Sequence, residues 1–249
     1  MIEVNKIYHG DCPEVMKDIP DGSIDMVLAD PPYGTTACKW DSVINFGDMW
    51  THLKRIVQDN SAIVLTASQP FTSALIASNF DMFRYCWVWD KKFAGNFVLA
   101  KKQPLKIHED IVVFSIKGHR YYPNTIKRRE KIKVGKNVSR SGSANLQTAK
   151  PEFDNKVYDI KQPESIVEFS NRSDGQIRKH PTQKPVNLFE YLITTYTKKG
   201  DTVLDFTGGS GTTAVACRNT HRNFIVIEKE QKYVEIANKR LLNAEPQLF

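Results

Sequence analysis

The apolar run Ile24-Asp25-Met26-Val27-Leu28-Ala29 stops at Asp30-Pro31-Pro32-Tyr33, and that stop constrains the chain more than any other feature. The run has the length of a buried strand, and two consecutive prolines can neither continue a strand nor enter a helix directly from it, so the backbone must leave the sheet there. An acid and an aromatic are thereby fixed at a strand's carboxyl end, where open α/β sheets place their ligand crevice. These residue types suit attack by an aromatic exocyclic amine, whose lone pair is delocalised into its ring. Asp30 and the Pro31 carbonyl offer acceptors for the amine hydrogens, which lets the nitrogen become tetrahedral, and Tyr33 offers a face for stacking. The same four residues also describe a plain rigid strand exit.

A second constellation lies near the other end of the chain. Thr202-Val203-Leu204-Asp205-Phe206 reads as a strand that runs into Thr207-Gly208-Gly209-Ser210-Gly211-Thr212-Thr213, and this turn opens a helix over Ala214 to Asn219. Glycines let backbone approach a ligand closely, and the first amides of the helix face that ligand. The next strand, Asn223 to Ile227, ends at Glu228, 23 residues after Asp205, the spacing at which a βαβ unit sets an acid on a ribose diol. A nucleoside-containing cofactor is therefore expected, with a structural turn as the other reading. The dinucleotide fingerprint is not matched, because the glycines run Gly208-Gly209-x-Gly211, and no phosphate loop of the triphosphatases occurs.

Between these ends the chain alternates strand and helix, which predicts a largely parallel, doubly wound sheet. Lys6 to His9 reads as a short strand ending at Gly10-Asp11, which puts Asp11 at the same kind of edge as Asp30. Gly34 to Ile44 reads as a loop, either an ordinary connector or a lid over a base. Phe46 to Val57 has helical spacing with Trp50 facing the core, Ala62 to Thr66 is a strand, Pro70 opens a helix, and Phe83 to Trp89 and Asp110 to Ile116 are strands. His108 and Glu109 open the last of these; His108 has no metal partners nearby and reads as structural. After His180-Pro181-Thr182-Gln183-Lys184-Pro185 comes a helix over Val186 to Thr197, whose free first amides and Lys184 suit a carboxylate.

The charge is concentrated in one place. Residues 117–140 hold Lys117, Arg120, Lys127, Arg128, Arg129, Lys131, Lys133, Lys136 and Arg140 against the single acid Glu130, a net +8, while the whole chain is +7, so the remainder is −1. Charge confined to an insertion and interleaved with Tyr121 and Tyr122 fits docking of a nucleic acid, although a solvated charge run has the same composition. Ser141 to Gln176 is polar and reads as a loosely packed recognition region or a disordered one. The four cysteines are scattered, so neither a metal site nor a disulfide framework is indicated. There is no leader at the amino terminus and no apolar run of membrane-spanning length, which predicts a cytoplasmic protein.

Taken together, a strand-borne Asp-Pro-Pro-Tyr, a basic insertion, Pro181-Thr182-Gln183-Lys184-Pro185 and a Leu-Asp-Phe-x-x-Gly-Ser-Gly-Thr-Thr turn resemble the beta class of amino-DNA methyltransferases, over about residues 4–118 and 178–243. That resemblance implies an α/β fold: a Rossmann-like, seven-stranded, mostly parallel sheet with helices on both faces, motifs in circularly permuted order, and an inserted DNA-recognition region. On it, residues 1–117 form the catalytic part, 118–177 the insertion and 178–249 the cofactor-binding part of one methyltransferase domain. It implies S-adenosylmethionine as methyl donor, double-stranded DNA as substrate, often a homodimer, a cognate restriction endonuclease as partner, and no metal. Carried over, Asp30, Pro31, Pro32 and Tyr33 are catalytic, and Asp205, Thr207, Gly209, Gly211 and Thr212 form the cofactor turn. Glu228 holds the ribose, Asp11 lies near the adenine of the cofactor, and Lys184 neighbours its carboxylate. The family often has Asp-Pro-Phe where this chain has Asp205-Phe206, so the aromatic is displaced by one place. Asp rather than Ser at the first motif position resembles the adenine-modifying members; the cytosine amino group, an RNA base, and a DNA-binding module without turnover are the alternatives.

Overall fold

A computed structural model describes residues 2–35, 41–133, 157–171 and 183–244. In chain order its elements are β1 (Lys6–His9), α1 (Cys12–Met16), β2 (Ile24–Ala29), α2 (Phe46–Ile56), β3 (Val57–Ala67), α3 (Phe71–Ser78), β4 (Phe83–Gly95), β5 (Lys106–Phe114), β6 (Ile126–Lys133), β7 (Val157–Lys161), β8 (Ile166–Glu168), α4 (Val186–Tyr196), β9 (Thr202–Asp205), α5 (Thr212–Asn219), β10 (Asn223–Glu228) and α6 (Gln231–Asn243). The chain divides into a large unit, Met1–Tyr122 with Ser165–Phe249, and a small one, Pro123–Glu164.

The large unit is built on a sheet of order β1-β10-β9-β2-β3-β5-β4-β8. Side chains alternate between the faces of a strand, so each strand feeds two cores. Val27 and Ala29 of β2 join Ile63, Leu204 and Ile225 beneath α2 and α3, whereas Met26 and Leu28 join Val64, Val203 and Val226 beneath α4 and α5. This is why the run at 24–29 is apolar almost throughout rather than alternating: both of its faces are covered. Asp25 is the exception, and its carboxylate accepts from the Thr202 amide at the start of β9, 2.9 Å away.

Strand direction decides which residues share an edge of the sheet. Every neighbouring pair from β1 to β3 is parallel, β5 is antiparallel to both β3 and β4, and β4 pairs parallel with β8. The amino end of β5 therefore lies at the carboxyl edge of the parallel strands. The sheet also carries eight strands where seven were expected. The extra one, β8, is a three-residue edge strand paired with Val88 to Asp90, drawn from a stretch expected to lie within the insertion. Three residues are too few for a periodicity to be read.

From β2 the chain moves through α2 to β3 on one side, and from β9 through α5 to β10 on the other, so β2 and β9 flank the point where the winding reverses. They pair directly, Met26 with Val203 and Val27 with Leu204, although they come from opposite ends of the sequence. Ligands bind at such a switch point, outside the carboxyl ends of the strands.

The small unit is an antiparallel pair of β6 and β7, with Ile126 opposite Lys161 and Lys133 opposite Val157. Lys161 forms an ion pair with Glu164 at 2.9 Å. The unit falls inside the expected 118–177 insertion, while 118–122 and 165–171 belong to the large unit.

Candidate active site

The first cluster forms where β2 ends. Asp30 Oδ1 accepts from the Tyr33 hydroxyl at 2.8 Å and from the Thr66 hydroxyl, and its Oδ2 accepts from Lys184 Nζ at 2.6 Å. A carboxylate has about four acceptor positions, so three are taken and one is left for a substrate hydrogen. The Tyr33 ring stacks on Phe71, with centroids 5.1 Å apart, and Lys184 Nζ lies 5.7 Å from the Tyr33 centroid. Lys184 also faces Glu109, whose Oε2 is 3.5 Å away and whose Oε1 pairs with Lys91 at 3.1 Å.

Burial alone would pull the Lys184 ammonium down, but Asp30 and Glu109 outweigh it and hold its pKa above the ordinary lysine value. Glu109 is likewise opposed by its own burial, yet Lys184 and Lys91 keep it below the usual carboxylate range. The result is an alternating row of buried and half-buried charges, Asp30, Lys184, Glu109 and Lys91. Lys184, expected to neighbour a cofactor carboxylate, has its ammonium on Asp30, and Pro185, directly after it, is the N-cap of α4.

The second cluster forms where β9 ends. Asp205 accepts from the Thr207 amide at 3.0 Å and from the Thr213 hydroxyl, which ties both ends of the glycine turn to one buried carboxylate. Burial pushes this carboxyl up to about 7 against the pull of those two donors. Glu228 accepts from the Gly209 amide at 2.7 Å and from the Glu230 amide at 2.8 Å.

The glycines of the turn do different things. A Cβ on Gly208 would meet Val226 at 2.1 Å, and one on Gly211, at φ +78°, would meet Ala237 of α6 at 2.7 Å. Gly209, at φ +51°, faces open space. Gly209 is thus the position where a missing side chain leaves room for a ligand, and Gly211 allows α6 to pack. Arg240, also unforeseen, reaches from α6 to the Ser210 carbonyl at 2.7 Å and braces the turn from behind.

One cavity of about 660 Å³ takes in both clusters: Asp30, Pro31, Pro32 and Tyr33 line it on one side. Asp11, Lys184, Asp205, Thr207, Gly209, Thr212 and Glu228 line the rest, whereas Gly211 does not. Asp11 pairs with Lys229 at 3.2 Å, and Thr212 is buried with its hydroxyl 3.4 Å from the Lys184 carbonyl. Thr207 Oγ1 is buried in the turn with no hydrogen-bond partner among the described residues. An orphaned hydroxyl, the space over Gly209 and the Glu228 carboxylate fit a polar nucleoside ligand.

Glu109, Thr66 and Lys91 were not foreseen as site residues. Thr66 carried a signal, since it ends a predicted strand. Glu109 carried none, because only the reversed direction of β5 brings a strand's start to this edge.

Two of the basic residues expected at a nucleic acid are engaged elsewhere. Arg120 pairs with Asp25 at 3.0 Å and Asp201 at 3.4 Å and donates to Gln58, all at the amino ends of β2, β9 and β3. Its charge there neutralises partly buried acids of the fold, at the edge opposite Asp30. Lys117 pairs with Asp59 at 2.6 Å near the same edge. Lys127 is exposed on β6; Arg128, Arg129, Lys131 and Lys133 follow it on that strand with side chains outside those described, and Lys136 and Arg140, like Thr36 to Trp40 of the expected lid, lie outside the described residues. Among the described residues no helix is long and apolar enough to cross a membrane, and no three His, Cys, Asp or Glu side chains are placed to hold a metal ion.

Comparison with known proteins agrees with this architecture. Type II methyltransferase M.HinfI of Haemophilus influenzae is 29% identical over 282 residues, covering 98% of this chain and 70% of its own. Type II methyltransferase M1.MboII of Moraxella bovis is 27% identical, covering 96% of both chains. DNA adenine methyltransferase YhdJ of Escherichia coli K12 is 26% identical, covering 96% of this chain and 83% of its own. In fold, the M1.HpyAVI–SAM complex superposes with a TM-score of 0.63 at 24% identity over 95% of this chain and 98% of that one. The cytosine-N4-specific PvuII DNA methyltransferase does so with a TM-score of 0.66 at 16% identity, over 96% and 93%. The family match runs over residues 24–239, from the start of β2 into α6, and so takes in both clusters: the chain belongs to the DNA methylase family N6_N4_Mtase.

Proposed function

We propose that this DNA methylase uses S-adenosylmethionine to methylate the exocyclic amino group of adenine at a specific site in double-stranded DNA. The observation that carries this reading is the single cavity lined by Asp30 and Tyr33 on one side and by Gly209 and Glu228 on the other. Thr207, Gly209, Glu228 and Asp11 hold the cofactor, and Asp205 fixes the turn that presents them. When bound, S-adenosylmethionine supplies a methyl group activated on a sulfonium.

The chain's own residues prepare the amine. An amino group inside a duplex cannot reach this cavity, so the target base is extruded into it. The remaining acceptor position of Asp30 and the Pro31 carbonyl take the two amine hydrogens, which turns the nitrogen lone pair out of conjugation. Thr66 and Lys184 hold Asp30 in place while it does so. The basic strand β6 and the residues after it supply phosphate contacts, where affinity rather than base readout resides. Adenine is favoured by Asp at the first motif position and by the relative named as an adenine methyltransferase. A homodimer and a cognate endonuclease belong to the same reading.

Incubation with methyl-labelled cofactor and a pool of duplexes, followed by digestion to nucleosides, tests it. Labelled N6-methyladenine is expected. Label in N4-methylcytosine would move the target to the other base, label in RNA alone would replace the substrate, and absence of label would leave a binding module.

A further inference from the structure

The row of charges at Asp30 contains a donor with a hydrogen to spare. Lys184 is buried, lines the cavity, and has two acceptors for its three ammonium hydrogens, Asp30 Oδ2, bonded at 2.6 Å, and Glu109 Oε2, an ion-pair partner at 3.5 Å. The third has no partner among the described residues. Because Asp30 and Glu109 keep the amine charged, Lys184 acts only as a donor.

An acceptor and a donor 2.6 Å apart, both facing the cavity, are complementary to a donor and an acceptor that neighbour each other on a ligand. Adenine and cytosine carry such a pair where the exocyclic amine adjoins an unprotonated ring nitrogen, N6 with N1 in adenine and N4 with N3 in cytosine. We infer that Lys184 is a specificity-determining residue: its free hydrogen binds the ring nitrogen beside the target amine while Asp30 takes an amine hydrogen, so that the two side chains read the amidine edge as a unit. The inference rests on the cavity's being the base pocket.

The arrangement accounts for orientation rather than activation. A cation on the ring nitrogen draws electron density from the amine, which does not improve it as a nucleophile but does ease loss of its proton after transfer. Glu109 then has a defined task as well. It occupies another ammonium hydrogen and turns the third toward the base, and Lys91 keeps Glu109 ionised. A base that presents a protonated ring nitrogen beside a carbonyl, as guanine and thymine do, sets a hydrogen against the Lys184 ammonium when its polar substituent sits at Asp30. The pair does not separate adenine from cytosine, in keeping with a fold shared by enzymes of both kinds.

The test needs only the wild-type enzyme and modified duplexes. Replacing the target adenine by 1-deazaadenine removes N1 and keeps the amine, while 3-deazaadenine removes a nitrogen remote from it; if the enzyme labels cytosine, 3-deazacytosine is compared with cytosine. A hydrogen bond to a charged donor predicts a kcat/KM about 10- to 100-fold lower on 1-deazaadenine than on 3-deazaadenine, with a parallel loss in equilibrium affinity for the duplex. Lys184→Met, which keeps the stem and removes the donor, is expected to treat the two analogues alike. If wild-type enzyme methylates both within twofold, the inference is overturned while the base-pocket reading stands. If it labels neither adenine nor cytosine in unmodified duplex, the reading itself fails. Should Lys184→Met be too slow to assay, the wild-type pair of analogues decides alone.

Discussion

The glycine turn and the Asp30 pocket share one cavity and are built in opposite ways. The turn is a continuous stretch from Thr202 to Glu228, a strand, a helix and a strand whose two acids bind within it: Asp205 with Thr207 and Thr213, Glu228 with Gly209. The pocket is assembled from four distant segments that bring Asp30, Thr66, Glu109 and Lys184 together. A local unit holds its geometry through backbone amides and close packing. The assembled one holds it through charges that only the finished sheet brings together. Disturbing the first should therefore show in stability and cofactor affinity, and disturbing the second in turnover.

The largest expected effect that could break this contrast is at Asp30. Asp30→Ala removes the acceptor and is expected to lower methyl transfer by about 10³- to 10⁴-fold while cofactor affinity stays within threefold, as calorimetry would show. Equal losses in both would mean that the two clusters are one unit.

Next in size are the glycines. Gly211→Val adds a branched side chain at φ +78° against Ala237 and is expected to cost about 2 to 5 kcal/mol of stability in urea denaturation. Gly209→Val faces open space and should cost about 1 to 2 kcal/mol for its backbone strain, yet it should lose most of its cofactor affinity because the side chain fills the ligand's room. The reverse ranking in either measurement would overturn the separate roles given to the two residues.

A dependence on pH sharpens the picture of the turn. The Asp205 carboxyl is raised from its ordinary value of 3.8 to about 7 in the folded protein, so between those two values the native state binds a proton that the unfolded chain does not. Stability contributed by the protonated form is present below that window and is lost as pH rises through it, by about 2 to 3 kcal/mol between roughly pH 5 and 7. Thermal melts of Asp205→Asn should be flatter than wild type across that interval; identical slopes would place the titration on another group.

The same contrast explains which parts of the site were legible in the sequence. The strand, turn, helix, strand and terminal acid of the cofactor unit follow from spacing along one stretch, and so does the exit of β2 at Asp30. The partners of Asp30 were legible only in part. Thr66 ends a readable strand, whereas Glu109 depends on β5 running backwards, and strand direction leaves no mark in hydrophobic pattern. Lys184 was recognised as a site residue, but its contact with Asp30 was not foreseen, because a helix start suggests a carboxylate without saying which one. Arg120 shows the limit of charge counting: a run of basic residues identifies an insertion, but the first of its arginines belongs to Asp25, an acid hidden within the apolar run of β2.

The pairing of β2 with β9 has a consequence for how the protein comes into being. Synthesis delivers β2 early and β9 late, so a growing chain carries Asp30 on a strand whose second edge has nothing to bond. Such an edge invites pairing with other chains. That exposure ends only when the carboxyl-terminal strands emerge and β9 closes the sheet against β2.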